Sequence, residues 1–217
     1  MRTMFDTIAP RYDVVNRIMT FGLDRTWRKR AVAALNLGPG SQVLDLACGT
    51  GDLCRDLAAA GHLPVGADLS FGMLAHARTT APLVQGDAVD LPLRAGSLDG
   101  VVSGFALRNF VALPPVFEEL ARVIRPGGRV ALLDVSTPEN ALLRTGHAVY
   151  FGHVVPRIGG LLSDHDAYRY LPRSVAYLPP GHGIADMLAG AGFGAVKRRL
   201  LSGGITQLIT ATRKVLP

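Results

Sequence analysis

The sequence contains little that could hold a fold together through covalent or metal bonds. Of its 217 residues only two are cysteines, Cys48 and Cys54, and their spacing matches no zinc motif. The six histidines also lack metal-ligand spacing. We therefore expect no bound metal and no disulfide, as is typical of a reduced cytoplasmic protein.

Long apolar runs are also missing. The longest stretch without a charged residue, Ala31 to Leu44, includes Asn, Gly and Pro, whereas a membrane span needs about 18 apolar residues. Residues Met1 to Asp6 have no apolar core, so we expect no signal peptide. With 48% hydrophobic and 18% charged residues the chain is too apolar to be disordered, and its length suits one domain over residues 1–217.

Acidic residues are outnumbered, with 17 Asp and Glu against 23 Lys and Arg, which gives a net charge of +6. A positive surface attracts nucleic acids, anionic membranes or anionic substrates. The mean hydropathy of +0.26 favours a protein that works beside lipid. The short basic cluster Trp27-Arg28-Lys29-Arg30 is predicted to be a solvated helix face or a membrane contact, because no longer run of basic and aromatic residues accompanies it.

Short apolar strands alternate with amphipathic helices through the middle of the chain. We predict strands at Gln42–Leu46, Pro64–Ala67, Leu83–Gln85, Leu98–Ser103 and Arg129–Asp134. Helices are predicted at Asp52–Ala60, Phe71–Thr79 and Pro114–Val123. This order indicates an α/β fold, a mostly parallel sheet flanked by helices on both faces.

The two ends of the chain depart from the alternation. Residues 1–37 are predicted to be helical, and Ala141–Leu162 is largely apolar with scattered Arg and His. After a helix at Ile184–Ala191, two strands at Val196–Leu200 and Ile205–Thr212 are joined by a glycine turn, which predicts an antiparallel C-terminal hairpin at the sheet edge.

A glycine loop follows the first strand, in the sequence Asp45-Leu46-Ala47-Cys48-Gly49-Thr50-Gly51. Ligands of parallel sheets bind beyond the carboxyl ends of the strands. A dinucleotide fingerprint requires Gly or Ala at the position that Cys54 occupies, so NAD and FAD are disfavoured.

Three aspartates, Asp45, Asp68 and Asp87, close successive strands. Asp45 is placed to attract an ammonium group, Asp68 to accept both hydroxyls of a ribose, and Asp87 to read a purine amine. S-adenosylmethionine, a cationic amino-acid nucleoside without phosphate, matches all three. A non-enzymatic lipid-binding module would not need them.

The glycine loop resembles motif I of class I methyltransferases, with Ala47 where many carry a first glycine. Further segments, in this order, resemble the ubiquinone/menaquinone C-methyltransferase family over nearly the whole chain. They are Met4–Asp13 with Asn16, Trp27-Arg28, Ala106–Asn109, Arg122–Gly128, Asp166–Leu171 and Ser202–Ile205.

The resemblance implies a Rossmann-like fold in which residues 1–37 cap the cofactor and residues 141–178 form a helical insertion on the substrate side. It implies that residues of the glycine loop and of the strand ends bind S-adenosylmethionine. These residues are Asp45, Gly49, Thr50, Gly51, Asp68, Asp87, Ala88 and Gly104. At the position of Gly104 relatives often carry Ser.

The resemblance also places Arg108 and Asn109 against the substrate ring, with Tyr12 in the N-terminal segment. Arg108 is suited to hold a phenolate oxygen, while Asp13 and His165 are candidate proton acceptors. The residues alone leave other roles open. Arg108 is also suited to a structural salt bridge, and Asn109 to a turn or a helix cap. Tyr12 is also suited to packing in the core, and His165 to the start of a helix.

One departure concerns the last strand, where the family usually carries a His and this chain has Gln207-Leu208-Ile209-Thr210. It leaves open a variant quinol or a paralogue acting on another small aromatic compound. RNA is a weaker alternative, because base methylation typically uses an Asn/Asp-Pro-Pro-aromatic motif where this chain has Phe105–Asn109.

The sequence and the resemblance together predict an enzyme that methylates a ring carbon of a prenylated quinol, converting demethylmenaquinol to menaquinol with S-adenosylmethionine. The expected partners are the quinol and the inner face of the membrane, to which a cytoplasmic protein would bind peripherally, with no nucleic acid. A homodimer is compatible with this prediction.

Overall fold

The computed structural model describes residues 6–7, 9, 12–150, 152, 178–179 and 181–215. Seven strands are present there: β1 (Gln42–Leu46), β2 (Leu63–Asp68), β3 (Leu83–Gln85), β4 (Leu98–Gly104), β5 (Ile124–Val135), β6 (Phe193–Leu201) and β7 (Thr206–Arg213). The α-helices are α1 (Tyr12–Met19), α2 (Leu23–Leu35), α3 (Asp52–Ala59), α4 (Phe71–Ala75), α5 (Leu113–Val123), α6 (Ala141–Val149) and α7 (Gly181–Gly190).

All seven strands join one sheet in the order β3-β2-β1-β4-β5-β7-β6. The first five strands are parallel, and β7 runs antiparallel between β5 and the edge strand β6. In β1, Asp45 lies opposite Gly66 of β2 and Val102 of β4, so the three strands end at one edge. The predicted α/β class and the C-terminal antiparallel pair are confirmed.

Apolar side chains cover both faces of the sheet. On one face α5 and α7 contribute the buried side chains Phe117, Leu120, Ile184 and Leu188. On the other, α2 and α3 contribute Trp27, Leu35, Leu53 and Leu57. Each such side chain stabilises the fold by about 1.5–3 kcal/mol. Burial on both faces explains why the central strands read as apolar runs rather than as alternating patterns.

Two elements differ most from the sequence prediction, while α7 and β6 each begin three residues earlier than predicted. Helix α4 ends at Ala75 rather than at Thr79, because the backbone N–H of Arg78 donates to the carbonyl of Thr50 in the glycine loop at 2.9 Å. Strand β5 begins at Ile124 rather than at Arg129, but its first residues leave the regular ladder. Leu98 pairs with Ile124 and Gly100 with Arg129, so the predicted turn is retained as an irregularity within β5.

The basic cluster in α2 is only partly what the sequence predicted. Lys29 and Arg30 are exposed, whereas Trp27 and Arg28 are buried, so for these two the prediction of a solvated face or membrane contact is wrong. Trp27 Nε1 donates to Ser202 Oγ at 2.9 Å, and Arg28 binds carboxylates, so both side chains have distant partners.

No helix among the described residues is long and apolar enough to cross a membrane.

Candidate active site

A cavity of about 420 Å³ opens at the carboxyl edge of the parallel strands. Its floor is the end of β1 with the glycine loop and the end of β4. Its walls come from α1 and α2 on one side and from α6 on the other. The first residue of β7 and the turn before it complete the lining. The lining is mostly apolar, and its polar groups gather at two places.

The glycine loop gives the floor its shape through left-handed backbone conformations. Ala47, Gly49 and Gly51 have φ values of 55°, 53° and 81°. This region costs a residue with a Cβ about 1–2 kcal/mol, so Ala47 adopts it at a cost that a glycine would not have. At Gly51 an added Cβ would also approach Thr79 Cγ2 to 2.8 Å, so both the backbone and the packing require glycine there.

Asp45 is the most deeply buried carboxylate on the cavity wall. Its Oδ2 accepts a hydrogen bond from the backbone N–H of Cys54 at 3.0 Å, while Oδ1 has no partner among the described residues. Burial raises the pKa of Asp45 to about 7, and the nearby charge of Asp68 acts in the same direction. A cation beside Oδ1 would stabilise the ionised form.

Asp68, at the end of β2, supports the loop from outside the cavity lining. Its Oδ2 accepts from the N–H of Gly49 and its Oδ1 from the N–H of Ser70, both at 2.8 Å. Burial raises its pKa, against the opposing effect of these backbone donors. Asp87 and Ala88 follow β3, with Asp87 exposed and Ala88 buried, and neither lines the cavity.

Thr50 links the loop to the N-terminal helices. Its Oγ1 donates to Asp13 Oδ1 of α1 at 2.5 Å, and both residues line the cavity. Further out, Asp6 Oδ1 accepts from Ser70 Oγ at 2.5 Å and from the N–H of Gly72 at 2.9 Å. The N-terminal segment is therefore attached to the chain after β1 and after β2.

A buried arginine joins α2 to α3 beside the loop. Arg28 Nη1 lies 2.5 Å from Asp24 Oδ2 and 2.9 Å from Asp52 Oδ2, and Arg28 Nε lies 2.8 Å from Asp56 Oδ2. Arg55 also pairs with Asp52, so three carboxylates share two guanidinium groups and this cluster keeps one surplus negative charge.

The opposite polar place is formed by Arg108 and Asp134, both buried. Arg108 lies in a short 3₁₀ helix (Leu107–Asn109) after β4, and its Nη1 is 2.5 Å from Asp134 Oδ1 of β5. The Arg108 N–H also donates to Asp134 Oδ2 at 3.2 Å. Arg108 Nε has no partner among the described residues, although Arg108 lines the cavity. Arg108 thus forms a structural salt bridge with Asp134 and also lines the cavity.

Gly104 and Phe105 form the floor between these two places. A Cβ on Gly104 would approach Leu53 Cδ1 to 2.9 Å, so Leu53 takes up space that a serine would need. Phe105 has a φ of 61°, and its ring centroid lies 6.2 Å from that of Trp27. Strained backbone of this kind clusters at functional sites.

The other predicted substrate residues are less well placed. Asn109 ends the 3₁₀ helix, half-buried, and does not line the cavity. Tyr12 begins α1, but its side chain lies outside the described part of the chain, as do His165 and the whole segment Asp166–Leu171. Ile209 is buried in the apolar core and not at the cavity, so the departure from the family pattern at this position does not alter the cavity lining.

Several lining residues were missed by the sequence analysis. Helix α6 contributes His147, whose pKa burial lowers, and Tyr150 follows it. The Tyr150 hydroxyl donates to the carbonyl of Met19 at 2.9 Å, and its ring lies 5.6 Å from that of Phe21, which attaches α6 to the turn after α1. The sequence analysis also missed Thr206, which lines the cavity, and Asp134, which does not line it but pairs with Arg108; strand pairing places both.

The arrangement has a clear chemical capacity. One end of the cavity offers carboxylates to a cationic ligand, the other offers a guanidinium to an anionic oxygen, and the surface between them is apolar. Within the described ranges no three His, Cys, Asp or Glu side chains are grouped so as to hold a metal ion. The unpartnered Asp45 Oδ1 and the left-handed loop fit a cationic amino-acid nucleoside such as S-adenosylmethionine.

Several solved structures of methyltransferases share this fold. A SAM-dependent methyltransferase from Thermotoga maritima aligns over 99% of this chain and 100% of its own, with a TM-score of 0.68 and 18% identity. Phosphoethanolamine N-methyltransferase 2 of Haemonchus contortus, solved with S-adenosyl-L-methionine, aligns over 85% of this chain and 52% of its own, with a TM-score of 0.61 and 15% identity. These similarities establish the class I methyltransferase fold.

Sequence relatives are much more similar. The ubiquinone/menaquinone biosynthesis C-methyltransferase UbiE of Syntrophotalea carbinolica is 42% identical, over 99% of this chain and 94% of its own. The demethylmenaquinone methyltransferase of Mycolicibacterium paratuberculosis is 44% identical, over 97% of this chain and 93% of its own. The sequence model of the ubiE/COQ5 methyltransferase family matches residues 1–213, and the chain therefore belongs to that family.

Proposed function

We propose that the protein transfers a methyl group from S-adenosylmethionine to a ring carbon of a prenylated quinol, converting demethylmenaquinol to menaquinol. The names of the two relatives support the reaction. The observation that carries it is the cavity, with buried Asp45 at one end, Arg108 at the other and apolar walls between.

The donor supplies an electrophilic methyl on a sulfonium. We assign its binding to the loop and strand ends: Asp45 attracts its ammonium group, Asp68 its ribose, and Gly49, Thr50 and Gly51 leave room for close approach of the backbone. Asp87 and Ala88 are assigned to the purine, and Gly104 to the floor beneath. The surplus of carboxylates around Arg28 favours a cation at this end.

The acceptor must present a nucleophilic carbon. An aromatic carbon becomes a good nucleophile when a neighbouring ring hydroxyl ionises, so stabilising a phenolate lowers the barrier. We assign this to Arg108, since a guanidinium forms charge-assisted hydrogen bonds and its Nε lacks another partner. Asn109 and Tyr12 are assigned to orienting the ring, and Asp13 to accepting its proton.

The first test concerns Asp45. As the pH falls through 7 Asp45 gains a proton and loses the charge that attracts the donor. Donor affinity should therefore fall by roughly an order of magnitude between pH 7.5 and pH 6, as measured by titration calorimetry. Asp45→Asn should bind weakly at both pH values.

The stability of the same variant separates binding from folding. Burial raises the pKa of Asp45, so its ionisation lowers the stability of the free protein as the pH rises through 7. Free Asp45→Asn should therefore be at least as stable as the native protein at pH 8. Native donor affinity in the variant would contradict the assignment, and Asp99→Asn, at an exposed ion pair, is the control.

The second test concerns Arg108. Arg108→Lys keeps the positive charge but loses Nε, and we expect turnover to fall at least about 100-fold, the scale of one lost donor to a developing anion. Donor affinity should change by no more than a few-fold. Because a lone Asp134 would be a buried unpaired charge, the control variant is Arg108→Leu with Asp134→Asn, which removes both charges. Near-native turnover in either variant would refute the role.

We further propose that the protein docks peripherally on the cytoplasmic face of the membrane. Helix α1, the turn after it and α6 carry exposed apolar side chains, which we call the apolar rim: Val14, Ile18, Phe21, Leu142, Leu143 and Val149. Three of them, Phe21, Leu142 and Leu143, also line the cavity. Arg17 and Arg144 are exposed on the same helices. A rim of this kind suits the apolar tail of the acceptor and anionic head groups.

Vesicle co-sedimentation tests the docking. Arg17→Glu with Arg144→Glu should lower affinity for vesicles containing anionic lipid by at least about tenfold, since each basic residue near the surface contributes about 1 kcal/mol. The matched control is Lys197→Glu with Arg199→Glu on edge strand β6, which carries the same change in net charge. Equal losses in both variants, or binding independent of anionic lipid, would count against the rim. Arg157, in the apolar stretch Ala141–Leu162, lies outside the described residues.

The domain organisation and the oligomeric state stay predictions. We propose that residues 1–37 act as a cap and residues 141–178 as a substrate-side insertion, which the position of α1, α2 and α6 on the cavity wall supports. Light scattering of the purified protein, which measures its molar mass, tests the predicted homodimer.

A further inference from the structure

Three buried polar atoms without hydrogen-bond partners among the described residues belong to side chains that line the same cavity. They are Asp45 Oδ1, Arg108 Nε and Thr206 Oγ1. A buried polar atom without a partner is costly, and such atoms are rare unless a ligand or water satisfies them. Asp45 belongs to the carboxylate end of the cavity and Arg108 to the opposite end, whereas Thr206 has no role in the reaction as described so far.

Thr206 is the first residue of β7 and is fully buried. It lies opposite Val135 in the β5–β7 ladder, and Val135 directly follows Asp134, the partner of Arg108. Thr206 and Arg108 both line the cavity, Thr206 from the start of β7 and Arg108 from the 3₁₀ helix after β4. Valine has nearly the shape of threonine and suits a buried strand equally well, so packing alone gives no reason for the hydroxyl.

We propose that the Thr206 hydroxyl binds a second hydroxyl of the acceptor ring and makes the enzyme selective for dihydroxy aromatic acceptors. This inference rests on the function proposed above and assigns a specificity residue to it. An arginine only donates hydrogen bonds, so Arg108 Nε suits the ionised ring oxygen. A threonine hydroxyl both donates and accepts, so Thr206 suits the ring hydroxyl that keeps its proton.

The pair of contacts gives the cavity its selectivity. A site built to bond a hydroxyl rejects an analogue that lacks it, because its own polar group is then left buried and unpaired. A singly ionised quinol bonds to both Arg108 and Thr206. A ring with one hydroxyl bonds only to Arg108 and leaves the Thr206 hydroxyl without a partner.

The experiment compares two acceptors in two Thr206 variants. One acceptor is a 1,4-dihydroxynaphthalene with the prenyl side chain, and the other is its analogue without the second hydroxyl, both kept under reducing conditions. The measured quantity is the ratio of kcat/KM for the two acceptors, which the native enzyme should keep strongly in favour of the diol. Thr206→Val should lower this ratio about tenfold or more, and Thr206→Ser should retain it.

Matched measurements distinguish this role from a structural one. Donor affinity should be unchanged in Thr206→Val, and its Tm should be equal or higher, since a buried unpaired hydroxyl is removed. Thr210→Val, on the same strand but away from the cavity, should leave the ratio unaltered.

Two results would overturn the inference. A native ratio in Thr206→Val would show that the hydroxyl does not meet the acceptor, and an equal loss of activity on both acceptors with a lower Tm would show a purely structural role. If the native enzyme methylates neither acceptor but binds the donor, the proposed function itself fails and Thr206 loses its assignment with it.

Discussion

The end of β1 places a carboxylate where water is excluded, and much of the site depends on what can pair with it. Asp45 has one oxygen satisfied by a backbone N–H and the other turned to the cavity without a partner. Its burial raises its pKa to about 7, so the free protein holds it only partly ionised near neutral pH. In the proposed complex a cationic ligand would remove this penalty, which would favour a sulfonium amino acid over an anionic dinucleotide.

The rest of the architecture keeps the Asp45 carboxylate and the guanidinium of Arg108 in one cavity without an ion pair between them. Arg108 is bound to Asp134 in β5, and Arg28 to three carboxylates between α2 and α3. Each arginine is therefore fixed before a ligand arrives, and little reorganisation is required during the reaction. In the proposed complex the apolar part of the lining would limit the water between the methyl donor and the ring carbon.

Local sequence patterns predicted the parts of the site that lie at strand ends. Asp45, Gly49 and Thr50 line the cavity because a strand, a glycine loop and a helix follow one another within a few residues, whereas Asp68 and Asp87, at the next strand ends, do not line it. Gly104 ends β4, Arg108 follows it, and both line the cavity. The mostly parallel sheet and its antiparallel C-terminal pair could be predicted from the alternation of strands and helices and from the glycine turn near the end of the chain.

Contacts between distant segments could not be predicted in this way. The burial of Trp27 and Arg28 depends on Ser202, Asp52 and Asp56, and nothing in the local pattern Trp-Arg-Lys-Arg indicates these partners. The Arg108–Asp134 ion pair and the position of Thr206 both follow from the register of β4, β5 and β7. Helix α4 ends earlier than predicted because the hydrogen bond from the backbone N–H of Arg78 to the carbonyl of Thr50 outweighs the local helix propensity.

Carbon methylation of a phenolate requires the reduced ring, because a quinone is electron-poor and has no hydroxyl to ionise. The most direct measurement is therefore methyl transfer by the purified protein from S-adenosylmethionine to a demethylated prenyl quinone, with and without prior chemical reduction. The account predicts methylated product only after reduction, and NADH alone should not replace the reductant, since the dinucleotide fingerprint is broken at Cys54. Equal rates on the oxidised and reduced rings would contradict it.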